Sequence, residues 1–280
     1  MLLSLLLSLA IWQAAPPQAA PPPATPLHVM TFNIRYGLAQ DGENHWVKRR
    51  EALFALLRAQ QADLIGLQEA LHGQIGEILQ AVPGYAYVGV GRADGKQGGE
   101  YAAILYKSAR LEVRRSDTFW FSDTPTVVRS TSWGNKIERI CTWAYFEDRA
   151  GPAFYFYNLH LDHLSQPSRE RSAALLLATI AARDPKAPVI VTGDFNAGET
   201  NPATAAVRAD LRDSYRVQHP DATEVGTFNG FKLGETKGEK IDYVFVGPGV
   251  EVLAAEILRD SAGGRYPSDH FPVTARVLLR

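Results

Sequence analysis

Cysteine is almost absent from this sequence. Cys141 is the single cysteine among 280 residues, which excludes an internal disulfide framework and a zinc site built from several thiolates. The residue lies in an apolar stretch at 140–143, so we expect a small buried hydrophobic side chain there. The lack of disulfides does not argue against export.

The chain also lacks an excess of charge of either sign. It carries 29 basic and 30 acidic residues, a net charge of −1. Proteins that bind long nucleic acids through many phosphates usually show a strongly basic surface. The basic runs at 48–50 and 114–115 are short, and we interpret the first as the solvated face of a helix. The composition disfavours a high-affinity nuclease, although a local basic groove is compatible with a neutral total.

Long hydrophobic runs are missing as well. The apolar run at 2–12 is interrupted by Ser4 and Ser8 and is short for a membrane span. An Ala/Pro-rich stretch follows it, and no Lys or Arg precedes it. We interpret 1–26 as a signal peptide with a tether and expect a periplasmic or secreted protein, with an uncleaved membrane anchor as the alternative. The remainder, 27–280, is predicted to form one domain.

What is present is a regular series of short apolar strands with fewer helices. Helical periodicity predicts helices at 46–60, 71–81, 168–182 and 202–209. Strands are predicted at 27–34, 63–68, 85–90, 101–106, 111–121, 139–147, 154–160, 189–192, 241–246, 252–257 and 271–279. Several strands follow one another directly, so the pattern favours two mixed or antiparallel sheets packed face to face with helices outside. The Gly/Asp-rich loops at 37–45, 91–99 and 229–240 are expected at the rims of sites.

Six stretches place acids, amides or histidines at or in apolar strands: 31–35, 67–69, 158–163, 192–196, 241–244 and 268–270. Each has an ordinary explanation when taken alone. Glu69 suits a helix N-terminus, and Asp194 with Asn196 suits a turn. Asp242 suits a satisfied core acid, and His270 suits a capped surface position. Together the six stretches favour one site, because strand ends can converge on one edge of paired sheets.

The chemistry of this set points to a hard cation beside an anionic substrate. Carboxylate and amide oxygens suit Mg²⁺ or Mn²⁺, and neighbouring histidines can move protons or stabilise charge. Such a set suits hydrolysis of a phosphate ester by an activated water. Zinc fits less well, because the sequence has no His-x-x-x-His motif and no cluster of cysteines. His160 and His163 form the one alternative pair of zinc ligands.

At these residues the sequence resembles the endonuclease/exonuclease/phosphatase superfamily, the fold of deoxyribonuclease I. The matching motifs run in order from Thr-Phe-Asn33-Ile-Arg through Leu-Gln-Glu69, Asn-Leu-His160, Gly-Asp194-Phe-Asn196 and Ile-Asp242-Tyr to Ser-Asp269-His270. They span essentially the whole chain after the tether. The resemblance implies an α/β fold, a four-layer α-β-β-α sandwich of two mixed, mostly antiparallel sheets, with the site at one edge.

The resemblance also implies roles at a metal. Glu69 would be the main ligand of Mg²⁺ or Mn²⁺, with Asn33 and Asp269 assisting. His270 would be a base or a phosphate-stabilising group, and Asp242 would orient it.

Three further positions would act on the water and the phosphate. Asp194 would align or deprotonate the attacking water, and Asn196 would hold a phosphate oxygen. His160 would stabilise a nonbridging oxygen or the leaving group. Whether Asp194 or His270 takes the proton of the water stays open.

Other residues resemble a poorly characterised, often exported bacterial subgroup. Its distinctive polar and aromatic residues include Trp133, and we consider four of them as substrate-binding candidates: Arg35, Glu100, Tyr101 and Arg139. An ion pair of Arg139 with Glu138, or with another acid at the rim of the site, is an equally good explanation for Arg139. Asp162 and His163 have no assigned role.

The hypothesis is therefore a metal-dependent phosphoesterase, with a phosphodiester favoured. The alternatives are an exported nuclease that degrades DNA or RNA and, less favoured, a non-catalytic binding protein on the same scaffold. The expected partner is a phosphate-ester substrate, whether a small molecule, a lipid headgroup or a nucleic acid. No obligate protein partner is evident, and we expect a monomer.

Overall fold

The computed structural model of this chain describes residues 25–261 and 263–280. The predicted signal peptide and nearly all of the tether lie outside those residues. None of the helices within those ranges combines the length and apolarity needed to cross a membrane.

The secondary structure follows the predicted order closely. The strands are β1 (Leu27–Asn33), β2 (Leu64–Ala70), β3 (Tyr85–Val88), β4 (Tyr101–Lys107), β5 (Leu111–Trp120), β6 (Ile140–Asp148), β7 (Phe154–His160), β8 (Val189–Asp194), β9 (Arg212–Asp213), β10 (Asp242–Val246), β11 (Val250–Ile257) and β12 (Val273–Leu279). The helices are α1 (Trp46–Gln60), α2 (His72–Ala81), α3 (Gln166–Ala182), α4 (Pro202–Asp210) and α5 (Ser214–Gln218), with a 3₁₀ turn at Gly42–Asn44. The sequence did not predict β9, α5 or the 3₁₀ turn, because elements this short carry too few residues for a periodicity.

The strands form two six-stranded sheets. The first has the order β11-β12-β1-β2-β4-β3, and the second has the order β5-β6-β7-β8-β10-β9. One pair in each sheet is parallel, β1 with β2 and β7 with β8. The other named strand pairs are antiparallel. The predicted mixed, mostly antiparallel sheets are therefore confirmed.

Three apolar clusters separate four layers. The residues of one cluster come from both sheets and fill the space between them. A second cluster joins α1 and α2 to the outer face of the first sheet, and a third joins α3 and α4 to the outer face of the second. The α-β-β-α sandwich follows from this packing.

The long helix α3 shows how local sequence produces a layer. It starts at Ser165, whose hydroxyl accepts a hydrogen bond from the backbone N–H of Ser168, and proline stands in its first turn. Its buried residues Ala173, Leu176 and Ile180 recur at helical spacing and pack on the second sheet.

Inward-facing side chains change from apolar to polar along the central strands. Alternate residues of a strand point to the same face, so one series can be read for each strand. The series are Leu27, Val29, Thr31 and Asn33 on β1; Leu64, Gly66 and Gln68 on β2; Phe154, Phe156, Asn158 and His160 on β7; Ile190, Thr192 and Asp194 on β8; and Val246, Val244 and Asp242 on β10. The polar members all lie toward one edge of the sandwich.

One interpretation of a basic run was wrong. We expected residues 48–50 on a solvated helix face, but Arg49 is only 3% exposed. Its guanidinium lies near the rings of Trp46 and Phe231, at 5.2 and 5.7 Å from their centroids. It donates hydrogen bonds to the carbonyl oxygens of Asn44, Arg35 and Pro267. The buried position therefore arises from partners far away in the sequence.

Candidate active site

Glu69 is placed by an irregularity in β2. The pairing of β2 with β4 shifts register between Leu67 and Ala70, and Glu69 has a left-handed backbone with φ of 59°. A β-bulge of this kind redirects a side chain away from the regular alternation. The Glu69 carboxylate is held by the backbone N–H of Tyr36, 2.8 Å from Oε2.

The side-chain amide of Asn158, which comes from the opposite sheet, stabilises the register shift between β2 and β4. Its Nδ2 donates to the carbonyl oxygens of Leu67 and Ala103, at 2.8 and 2.9 Å, where the β2–β4 ladder is interrupted. Its Oδ1 accepts from Gln68 Nε2 and Thr192 Oγ1, at 2.6 and 3.1 Å. The amide of this fully buried residue is therefore paired at both ends, as a low-dielectric interior requires.

Gly66 makes room for that amide. A Cβ at this position would lie 2.5 Å from Asn158 Oδ1 and 2.2 Å from Thr192 Oγ1. No side chain fits there without moving both groups, so the close approach of the two sheets at this edge requires glycine.

Asn33 connects two carboxylates at the end of β1. Its Nδ2 donates to Glu69 Oε1 at 3.1 Å and to Asp194 Oδ2 at 2.9 Å. Its Oδ1 accepts from the backbone N–H of Arg35 at 3.0 Å. The side chain thus orients both acids.

Asp269 lies beside this pair on the segment that leads into β12. Arg35 Nε lies 3.7 Å from Asp269 Oδ2 and forms a shorter, bidentate pair with Asp41. Ser268 Oγ donates to the carbonyl oxygen of Asn33 at 2.7 Å, which ties the Asp269 segment to the end of β1.

His270 lies between two buried carboxylates. Its Nδ1 is 2.9 Å from Asp242 Oδ2, and its Nε2 is 3.8 Å from Asp194 Oδ2. Burial lowers the pKa of His270, but the charges of Asp242 and Asp194 outweigh it and raise this pKa well above its usual value. Burial and the nearby Asp242 carboxylate raise the pKa of Asp194. These surroundings favour the protonated form of His270 and make Asp194 a stronger base than an ordinary aspartate.

His160 has the opposite electrostatic environment. Arg139 Nη1 lies 3.1 Å from His160 Nε2, and Arg139 Nη2 lies 2.7 Å from His163 Nδ1. Burial, followed by the charges of Arg139 and Arg92, lowers the pKa of His160 well below its usual value. Because a guanidinium can only donate, His160 is neutral with the lone pair of Nε2 toward Arg139.

Asp162 holds the far side of Arg139. Its Oδ1 accepts from the backbone N–H groups of Leu164 and Ser165, and its Oδ2 lies 3.4 Å from Arg139 Nε. The alternative explanation for Arg139, an ion pair with an acid at the rim, is therefore met by Asp162 and not by Glu138, which pairs with Arg129 at 3.3 Å. Arg139 is therefore directed into the site.

Asn196 also has a left-handed backbone, with φ of 46°. Its backbone N–H donates to Asp194 Oδ1 at 2.9 Å, and its Nδ2 donates to the carbonyl oxygen of Leu161 at 3.0 Å. This turn places the end of β8 against the segment after His160.

These groups converge on one cavity of about 460 Å³. The candidates that line it are Arg35, Glu69, Glu100, Arg139, His160, Asp194, Asn196, Asp269 and His270. Asn33 and Asp242 lie behind this surface and reach it through hydrogen bonds. Tyr101 does not line it; its hydroxyl donates to the carbonyl oxygen of Lys96.

Sequence reasoning missed one charged member of the cavity wall. Arg92 lines the cavity and donates from Nη2 to Glu100 Oε1 at 2.6 Å. The available signal was its place in the Gly/Asp-rich loop at 91–99, which was expected to form a rim. His163, which had no assigned role, lines the same cavity and contacts Arg139.

Two separate sets of groups are candidates for a divalent cation. Asp194, Asp242 and His270 offer ligand atoms within 4.8 Å of one another. That set is already joined by the His270–Asp242 hydrogen bond, and Asp242 does not line the cavity. Glu69 and Asp269 do line it, so they suit a hydrated cation that takes one or two carboxylates and keeps several waters.

The whole chain was compared with known proteins. The model of the Endonuclease/Exonuclease/phosphatase family matches residues 30–270. The chain belongs to this family. A search of curated proteins gave no match.

Solved structures of family members support the assignment. An endonuclease/exonuclease/phosphatase from Bacteroides vulgatus is 34% identical, with a TM-score of 0.85 over 91% of this chain and 100% of that one. The mannosyl-6-phosphatase of Bacteroides thetaiotaomicron is 32% identical, with a TM-score of 0.82 over 90% of this chain and 100% of that one.

A more distant structure shares the fold alone. TDP2 of D. rerio, solved with a single-stranded DNA product, is 18% identical, with a TM-score of 0.73 over 90% of this chain and 99% of that one. The predicted deoxyribonuclease I-like sandwich and the family resemblance are both confirmed. The chain therefore belongs to a family of enzymes that act on phosphate esters, and one of the solved structures similar to it is a phosphatase.

Proposed function

We propose that this protein hydrolyses a phosphate ester with the help of Mg²⁺ or Mn²⁺, by in-line attack of water. The observation that carries the proposal is the convergence of acidic, imidazole and guanidinium groups on one cavity. Family membership and the 32% identical mannosyl-6-phosphatase support it.

Glu69 and Asp269 are the proposed metal-binding residues, and Asn33 orients Glu69. Their oxygen donors suit a hard cation. When bound, such a cation would neutralise charge on phosphate oxygens.

Asp194 and His270 are proposed to take the proton of the attacking water. Their raised pKa values leave one group of the pair able to accept a proton near neutral pH. Asp242 keeps the His270 ring oriented through Nδ1. Asn33 keeps Asp194 aligned from the other side.

Arg139, His160 and Asn196 are proposed to hold the phosphate. Arg139 supplies a permanent positive charge on the cavity wall, and its guanidinium geometry matches phosphate oxygens. His160 Nε2 lies 3.1 Å from Arg139 Nη1 and 3.5 Å from Asp194 Oδ2, which places the ring between the proposed phosphate-binding and proton-accepting groups. Together these groups would stabilise the charge that develops on phosphate oxygens and the leaving group.

The test compares Glu69→Gln with Glu51→Gln, whose side chain is 76% exposed on α1. Hydrolysis of p-nitrophenyl phosphate and bis-(p-nitrophenyl) phosphate is measured with Mg²⁺, with Mn²⁺ and with EDTA. We expect EDTA to abolish turnover and Glu69→Gln to lower kcat/KM by about 10²–10³-fold, as for loss of a principal charge-stabilising group. Glu51→Gln should behave like the wild type.

Calorimetric titration with Mn²⁺ provides a readout that does not depend on turnover. Binding to the wild type and its loss in Glu69→Gln would support the metal assignment. Full activity of Glu69→Gln would refute it. Mn²⁺ binding without hydrolysis of any ester would favour the non-catalytic alternative, and a steep fall of activity with salt would favour the nuclease.

A further inference from the structure

One wall of the cavity is not used by the proposed chemistry. It is formed by Arg92, Glu100 and His163, which line the cavity together with the proposed catalytic groups. The side chains of Arg92 and Glu100 are only 11% and 15% exposed. Because this ion pair is largely shielded from bulk water yet lines the cavity, it can contact the alcohol group that is esterified to the phosphate.

The wall offers donors and acceptors together. Arg92 uses one N–H on Glu100, and within the described part of the chain no other hydrogen bond of its side chain is formed. A guanidinium has five N–H groups and a carboxylate has about four lone-pair sites. His163 accepts from Arg139 through Nδ1, which leaves Nε2 for a further partner. Such a mixed set matches hydroxyl groups, which both donate and accept.

The loop that carries Arg92 and Glu100 is fixed by hydrogen bonds of its own backbone and by Trp120. Within it, the backbone N–H of Arg92 donates to the carbonyl oxygen of Glu100 at 3.0 Å, and Asp94 Oδ1 accepts from two backbone N–H groups. Trp120 Nε1 donates to the carbonyl oxygen of Arg92 at 2.8 Å. A Cβ on Gly91 would lie 2.1 Å from the carbonyl oxygen of Gly98, so the turn closes only with glycine. The pair is therefore pre-organised, which lowers the entropic cost of binding.

The charge of the wall restricts the substrate. Because Arg92 and Glu100 form an ion pair with no net charge, the wall offers no excess positive charge to a second phosphate, such as the next one in a nucleic-acid chain. An alkyl chain would remove water from the ion pair without replacing its hydrogen bonds, which is costly. Phe228, 50% exposed, also lines the cavity and lies edge-on to His270 with centroids 5.1 Å apart. It offers an apolar surface to the C–H face of a ring.

We propose that Arg92, Glu100 and His163 bind the alcohol part of the ester, and that this alcohol is a neutral polyhydroxylated molecule such as a sugar. The substrate is then a sugar or polyol phosphate monoester. This inference rests on the proposed phosphoesterase function and assigns the selectivity of that site.

The test uses two esters with equal charge and equal carbon number, a hexose 6-phosphate and n-hexyl phosphate. We expect the wild type to prefer the hexose ester by at least about tenfold in kcat/KM. Glu100→Gln should remove about tenfold of that preference, the effect of losing one charge-assisted hydrogen bond. Its kcat/KM for n-hexyl phosphate should change less than about twofold.

Arg92→Lys provides a second variant that keeps the positive charge. It should show the same selective loss, because an ammonium lacks the planar fork of the guanidinium. Glu112→Gln, on an exposed part of β5, should match the wild type on both esters. Thermal melts identify any variant that is not folded.

The outcomes separate the inference from the proposed function. An equal fall on both esters in Glu100→Gln would show that Glu100 acts on the reacting centre and would overturn the inference. Equal wild-type rates on the two esters, or faster hydrolysis of a dinucleotide or a lysophospholipid, would overturn it while the phosphoesterase function stands. Failure to hydrolyse any of these esters with Mg²⁺ or Mn²⁺ would instead refute the proposed function.

Discussion

The space between the two sheets has two halves that use the same strands for opposite purposes. In one half, Leu27 and Val29 of β1 meet Phe154 and Phe156 of β7 in an apolar cluster. In the other half, the next inward-facing positions of the same strands are polar. Both halves are almost completely buried, so burial alone does not distinguish a core from a site.

The difference lies in how each half is stabilised. The apolar half gains free energy from area removed from water, which needs no particular partner. Each buried group of the polar half needs a specific hydrogen-bond partner, as Asn158 has in the carbonyl oxygens of the opposite sheet. Two inward acceptors, Gln68 Oε1 and Asp242 Oδ1, have no partner among the described residues. The polar half, which holds the candidate site, is therefore less favourable to stability than the apolar half.

The largest expected effect is on activity in the polar half. Asp194→Asn should lower kcat by about 10³-fold, because the variant cannot take a proton from water. The pKa of Asp194 is raised by burial and by Asp242, so its charge destabilises the fold at pH 7. The melting temperature should therefore stay equal or rise. A clear fall in that temperature, with activity retained, would contradict the division into two halves.

The converse effect is expected in the apolar half. Phe156→Ala removes a fully buried ring and should lower the free energy of unfolding by about 3–5 kcal/mol. At temperatures where the variant is folded, kcat should change less than about twofold. Urea unfolding followed by fluorescence, with kcat measured in the absence of urea, tests both statements.

Asn158 lies at the boundary between the apolar and polar halves, so its substitution should affect both stability and activity. Asn158→Leu removes the donor to two carbonyl oxygens and the shortest of the three hydrogen bonds of Gln68 Nε2, which should cost about 2–3 kcal/mol. It also loosens the bulge that holds Glu69, so the Mg²⁺ concentration for half-maximal activity should rise roughly tenfold, as for other residues that orient a ligand. If Asn158→Leu lowers stability but leaves the Mg²⁺ concentration for half-maximal activity unchanged, Asn158 contributes to the core and does not position Glu69.

The smallest expected effect concerns pH. Burial acts to raise the pKa of Asp162, but the N–H groups of Ser165 and Leu164 and the charge of Arg139 outweigh it and lower this pKa. A lowered pKa in the folded state contributes stability above the unfolded pKa of about 3.9, and this stability disappears as pH falls through the folded value. Asp162→Asn should thus cost about 1 kcal/mol at pH 7 and less near pH 3. A loss that is independent of pH would exclude a charge effect.

Much of this arrangement could be predicted because its signals are local. Each candidate such as Glu69 or Asp194 directly follows an apolar run, so the sequence shows both the strand and the polar group at its end. The bulge at Glu69 could not be predicted, because it depends on a register shift against β4. Arg49 looked like a surface residue because its partner Pro267 lies 218 positions away. Arg92 matters only because it meets Glu100 in the folded loop.

The left-handed backbone at Glu69 and Asn196 has a consequence for how this protein can change over evolutionary time. A non-glycine residue in this conformation costs about 1–3 kcal/mol, and a β-branched residue is strongly disfavoured there. Glycine would relax the backbone but would delete the side chain that the site uses. Few substitutions at Glu69 or Asn196 would both tolerate the left-handed backbone and keep the functional side chain. Arg92 and Glu100 do not have a left-handed backbone and are free of this restriction. If the proposed roles hold, new substrates are reached most readily by changing Arg92 and Glu100 while the positions proposed to carry the chemistry stay the same.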